Sequence, residues 1–142
     1  MASGAAGCAV TRQLVFVVED VARDRVLYRA PVVAGSAFVL SYVHSSEHVP
    51  VRGTFVVEGD GTLLARETAF SGFGPGLPEP KAGEAWRIED GMIVVPSDGP
   101  RLPELLVRVV PLTDHRLRTP SGEEIDLSAL MKEGGRVRIR VK

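Results

Sequence analysis

Along most of this chain apolar and polar residues alternate with a period of two, in short runs broken by Gly, Pro and Asp. Successive side chains of a strand point to opposite faces of its sheet, so this period predicts strands with one packed and one wet side. Residues 14–19 and 26–32 flank the polar Ala22-Arg23-Asp24-Arg25 and read as an opening hairpin. The runs 37–44 and 49–58 are the two longest. The second places Val49, Val51, Phe55 and Val57 on one face and Pro50, Arg52, Thr54 and Glu58 on the other. Asp60-Gly61 supplies the positive φ angles of a tight turn and leads into 63–70. Residues 86–88, 93–95, 105–110, 116–119, 123–127 and 137–141 follow, with Pro120-Ser121-Gly122 turning between two of them. The helical candidate is 127–133, capped by Asp126 or Ser128 and ended by Gly134-Gly135. The pattern predicts an all-β domain, an antiparallel β-sandwich or flattened barrel of about ten short strands with at most one short helix near the C-terminus.

The chain has 142 residues, which suits one domain large enough to bury a core without staples. Residues 1–12 are Gly- and Ala-rich and read as a flexible lead, leaving 13–142 as a single β domain. One cysteine, Cys8, excludes an internal disulfide framework. Seventeen basic and eighteen acidic residues nearly cancel. A whole-domain field for nucleic acid is therefore missing, and no nucleic-acid partner is expected. No apolar run approaches the roughly 20 residues of a membrane span, and the first residues have neither the basic start nor the apolar stretch of a signal peptide. The chain as it stands reads as soluble.

Several segments invite a chemical reading. His44-Ser45-Ser46-Glu47-His48 spells the H-x-x-E-H pattern of one zinc peptidase group, but that pattern grips a metal from a helix and here both flanks read as strand. Four extended residues would hold the two imidazoles roughly 13 Å apart, too far for one zinc ion unless the chain bends sharply at Ser45-Ser46. Ser45 and His44 point to opposite faces of a strand, whereas Ser46 can share a face with His44. No G-x-S-x-G elbow occurs, and no catalytic set emerges. Gly72-Phe73-Gly74-Pro75-Gly76 resembles a phosphate loop superficially, yet Pro75 removes a donor and no helix follows. It reads as a tight loop, or as a lid carrying Phe73 to a ligand. The last strand sets Arg136, Arg138, Arg140 and Lys142 on one face, which reads first as a solvated row protecting an exposed edge. Counting by twos, His44 extends the apolar stripe Phe38, Leu40, Tyr42, and Glu67 extends Leu63, Ala65, Ala69. A buried carboxylate needs a partner, so a His44–Glu67 pair is expected, with Glu47 beside it and the Gly/Pro loop of 71–80 folded over.

The text 37–47, then Pro50-Val51, Glu67-Thr68 and Gly74-Pro75-Gly76-Leu77-Pro78, with a looser match over 127–141, resembles a family of small bacterial domains called domain of unknown function 1850. The resemblance implies a role beside TAXI-type TRAP transporters, whose extracytoplasmic component captures a carboxylate for a permease. It implies a location in the cell envelope or periplasm and an export or anchor segment ahead of the domain.

Together these readings predict a non-catalytic accessory or small-ligand-binding module, with a TRAP transporter component or a small carboxylate as partner and no cofactor. The ligand-binding candidates are His44, Ser46, Glu47, Glu67, Phe73, Gly74 and Gly76. Two alternatives stay open, a metal-assisted enzyme using His44, Glu47 and Glu67, and a protein-interaction β-sandwich. Residue types alone leave metal binding undecided.

Overall fold

The computed structural model describes residues 13–44, 46, 48–71, 85–97 and 99–142. These hold twelve strands, β1 (Leu14–Asp20), β2 (Arg25–Val32), β3 (Ala37–Val43), β4 (Pro50–Val57), β5 (Leu63–Phe70), β6 (Arg87–Glu89), β7 (Met92–Pro96), β8 (Arg101–Leu102), β9 (Leu105–Val109), β10 (Arg116–Arg118), β11 (Glu124–Asp126) and β12 (Gly135–Val141). The one helix is α1, Leu127–Leu130, shorter than the 127–133 expected. Its N-cap is Asp126, whose carboxylate accepts from the Ala129 N–H at 3.0 Å. Gly134 and Gly135 end this region with φ of 73° and 144°, which a residue with a Cβ rarely adopts.

All strand pairings are antiparallel. A small sheet runs β2-β1-β12-β9 and a large one β11-β10-β3-β4-β5-β7-β6, with β8 also pairing β5. The two form a sandwich rather than a closed barrel. Alternation sets the interior as the sequence predicts. Phe16 and Val18 of β1, Phe38 and Leu40 of β3, Val57 of β4, Leu63 of β5 and Val137, Ile139 and Val141 of β12 are all buried. Phe16 and Phe38 bridge the sheets edge to face, centroids 5.0 Å apart, and Phe55 stacks on Phe38 at 5.2 Å. Each large ring buried between the sheets contributes on the order of 2–3 kcal/mol.

Two expectations about faces fail. The last strand, read as an exposed edge, lies inside the small sheet between β1 and β9. Its arginines do face outward, but they guard no edge. Arg138 pairs with Glu104 at 3.2 Å and Arg140 with Glu19 at 2.8 Å. The second failure comes from a β-bulge. Between Thr54 and Phe55 of β4 the register with β5 slips by one residue, so Ala65 opposes Phe55 but Glu67 opposes Thr54. One extra residue turns the rest of the strand over. Ala65 and Glu67 therefore lie on opposite faces despite their spacing of two.

Asp20 ends β1 on the inner face with no solvent exposure. Arg23 donates to its carboxylate at 2.9 Å, and Arg25 lies 3.6 Å away. Burial alone raises this carboxyl, but the hydrogen bonds from the Arg23 side chain and backbone, with the charges of Arg23 and Arg25, outweigh it. The net shift is downward. A depressed carboxylate stabilises the fold above its unfolded value near 3.9 and loses that contribution as pH falls through the folded value. Asp20→Asn is thus expected to lower the urea midpoint at pH 5 to 7, with the gap to the parent narrowing below about pH 4. A gap independent of pH would show that the charge does not act.

Candidate ligand-binding site

Where the apolar seam runs out beside β9, the sandwich holds a cavity of about 550 Å³. Its walls come from the inward positions of three strands, Leu40 and Tyr42 of β3, Phe55 of β4, and Leu105 and Val107 of β9. Val43, His44, Leu106, Arg108, Val110, Thr113 and His115 complete it. β9 is an end strand of the small sheet, which is why an opening exists on this side.

No pattern in the sequence marks His115, yet the fold holds it from several sides. It is 3% exposed. Its ring stacks on Tyr42, centroids 4.9 Å apart and planes 12° from parallel. The chain reaches it through a 3₁₀ turn, Pro111–Thr113. Ser128 at the start of α1 accepts from the His115 N–H at 2.8 Å and donates to the Val110 carbonyl at 2.8 Å. The His115 carbonyl accepts from the Leu127 N–H at 2.9 Å. Thr113 Oγ1 lies 2.6 Å from His115 Nδ1 and donates to the Val110 carbonyl at 2.9 Å. A hydroxyl has one proton. With that proton on the Val110 carbonyl, Oγ1 accepts from Nδ1–H, and Nε2 is left as an acceptor. Burial lowers the His115 pKa to about 4, against a small opposing effect of Asp114. Burial also raises the Tyr42 phenol. At neutral pH the cavity thus holds an uncharged imidazole and an uncharged phenol.

His44 lines the same cavity, carried there by the β3 alternation. Its Nδ1 lies 3.1 Å from Ser46 Oγ, the contact their spacing allowed. His44, Ser46 and His48 lie between β3 and β4, where the hairpin turns. The His44 carbonyl accepts from the His48 N–H and the His44 N–H donates to the Val49 carbonyl, each at 2.8 Å. The chain therefore reverses here, and the extended 13 Å separation of the imidazoles does not apply. His48 is exposed, with φ of 56°. Among the described residues no three His, Cys, Asp or Glu converge as a metal site.

The expected His44–Glu67 pair does not form. The bulge sends Glu67 to the outer face, where its carboxylate pairs with Arg87 at 3.2 Å and lines a polar depression with Ser41, Arg52, Thr54 and Arg118. Any metal-assisted mechanism that needs both residues loses its geometry. Glu47, Phe73, Gly74 and Gly76, and the loop beyond Ser71, lie outside the described residues.

A histidine held neutral in the fold makes stability depend on pH in a known direction. Its folded pKa of about 4 lies below the unfolded 6.5. The unfolded state therefore binds more protons between them, and stability is complete above pH 6.5 and falls toward pH 4. The loss across that window is expected to be about 3 kcal/mol. Urea denaturation at stepped pH should show it in the parent and find it largely absent in His115→Gln. Equal slopes in both proteins would refute the assignment.

No curated protein and no solved structure matches the chain significantly. A family model does, over residues 38–127, from β3 to the start of α1 and including His44, Tyr42 and His115. That covers well over half of the chain, which therefore belongs to the family described as Domain of unknown function (DUF1850).

Proposed function

We propose that this domain is a non-catalytic small-ligand-binding module, an accessory of a TRAP-type carboxylate transport system in the cell envelope, and that its cavity takes a small carboxylate with an apolar body. The observation that carries the reading is the cavity itself. Its volume of about 550 Å³ lies within the range of small-molecule sites, and such sites combine apolar walls with a few convergent polar groups. Leu40, Phe55, Leu105, Val107 and Val110 supply the walls. Tyr42 supplies a protonated phenol, His115 an acceptor nitrogen and His44 a second imidazole. Arg108, exposed at the border, is the one arginine or lysine among the lining residues. A carboxylate placed there would gain a charge-assisted, bidentate contact while its body displaced water from the apolar interior. The transport and envelope side of the proposal rests on the resemblance of the His44 and Gly74 motifs to transporter-associated members of the family.

Thermal melting with a panel of short aliphatic, aromatic and dicarboxylic acids tests this. An acid present at 100 times its dissociation constant adds about 2.7 kcal/mol, expected as a rise of several degrees in Tm. Val107→Trp, which fills the cavity, should abolish the shift. Arg108→Ala should remove the preference for an acid over its amide. A panel that leaves Tm unmoved at millimolar concentration would overturn the reading.

A further inference from the structure

The arginines of β12 form one row of a wider surface. Strand register brings Arg108 of β9 directly opposite Arg136, and places Arg29 of β2 and Arg140 on either side of Val17. The outer face of the small sheet therefore carries Arg29, Arg108, Arg136, Arg138 and Arg140, against Glu19 and Glu104. Those two acids engage Arg140 and Arg138. Arg29, Arg108 and Arg136 are exposed and make no ion pair with any described residue. Because the whole chain carries a net charge of −1, this is a segregated positive face on a nearly neutral molecule.

We infer that this face docks on an anionic phospholipid surface. The five guanidiniums come from β2, β12 and β9 and spread across the four-stranded sheet, roughly 14 Å across and about 13 Å along β12, as a broad array and not a pocket. Aliphatic side chains stand exposed among them, Val26 at 53% and Leu106 at 46%, opposite Glu19 and Arg138 in the register. Cations with interleaved aliphatic groups suit a headgroup layer, where charge attracts and apolar tips enter the boundary. Nucleic acid fits less well. The outward positions of these strands carry no aromatic ring on which bases could stack, since Phe16 and Tyr28 point inward.

Each cation near such a surface contributes about fivefold in binding. Cosedimentation with vesicles of phosphatidylglycerol mixed with phosphatidylcholine is the test, with pure phosphatidylcholine vesicles as reference. The parent should bind only the anionic vesicles and release as salt approaches about 1 M, where the Debye length shrinks to about 3 Å. Arg29→Glu combined with Arg136→Glu should weaken binding at least about tenfold while melting like the parent. Both residues lie outside the cavity, so carboxylate binding should persist in this variant, and the two proposals can fail separately. If the variant does not fold, the salt series on the parent decides alone. A parent that stays in the supernatant at low salt, binds neutral vesicles equally, or binds soluble polyglutamate and not anionic vesicles overturns the proposal.

Discussion

Burial of two apolar sheet faces against each other is the constraint on which everything else in this domain depends. Phe16 from the small sheet meets Phe38 from the large one, and the neighbouring positions of β1, β3, β5 and β12 close around them. A strand must present every second residue to that seam, which fixes where every other residue can go. Tyr42 and His44 face inward because Phe38 and Leu40 do. The arginines of β12 face outward because Val137, Ile139 and Val141 do. The unequal width of the sheets then decides where the seam ends. A four-stranded sheet cannot cover an eight-stranded one, and the cavity lies beside the end strand β9.

That constraint also explains what could be read in the residues. Period-two alternation located almost every strand, β5 to the residue, and omitted only β8, whose two residues have no period. Turn chemistry was legible in part, since Gly61 takes the expected positive φ and Asp60 does not. Asp60 accepts from the Thr62 N–H at 3.0 Å and Gly61 adopts a φ of 87°. The Thr54–Phe55 bulge was not legible, because no residue there announces an extra position and its effect appears only when β4 and β5 are laid side by side. A single slipped register carried Glu67 away from His44.

His115 is unmarked in the sequence for a different reason. Its significance comes from groups distant in sequence, Tyr42 on β3 and Ser128 on α1, meeting at a turn after β9. A histidine between Asp and Arg in a polar stretch gives no hint of a buried, neutral imidazole. The placement of β12 was hidden likewise. A basic alternating strand at the end of a chain looks like an edge, and only its pairing with both β1 and β9 shows otherwise. His44 and Ser46 do meet, but within the hairpin turn and not along one strand face, so their contact follows from their closeness in sequence.

The pairing of β1 with β12 joins residues near opposite ends of the chain, Phe16 with Val141 and Asp20 with Val137. The small sheet is therefore assembled from material separated by nearly the whole domain, and closing so long a loop slows folding. During synthesis the hairpin of β1 and β2 is made long before β12, and the edge of β1 that β12 covers stays unpaired until that strand follows. Through that interval the unpaired edge is open to mispairing and to chaperone capture.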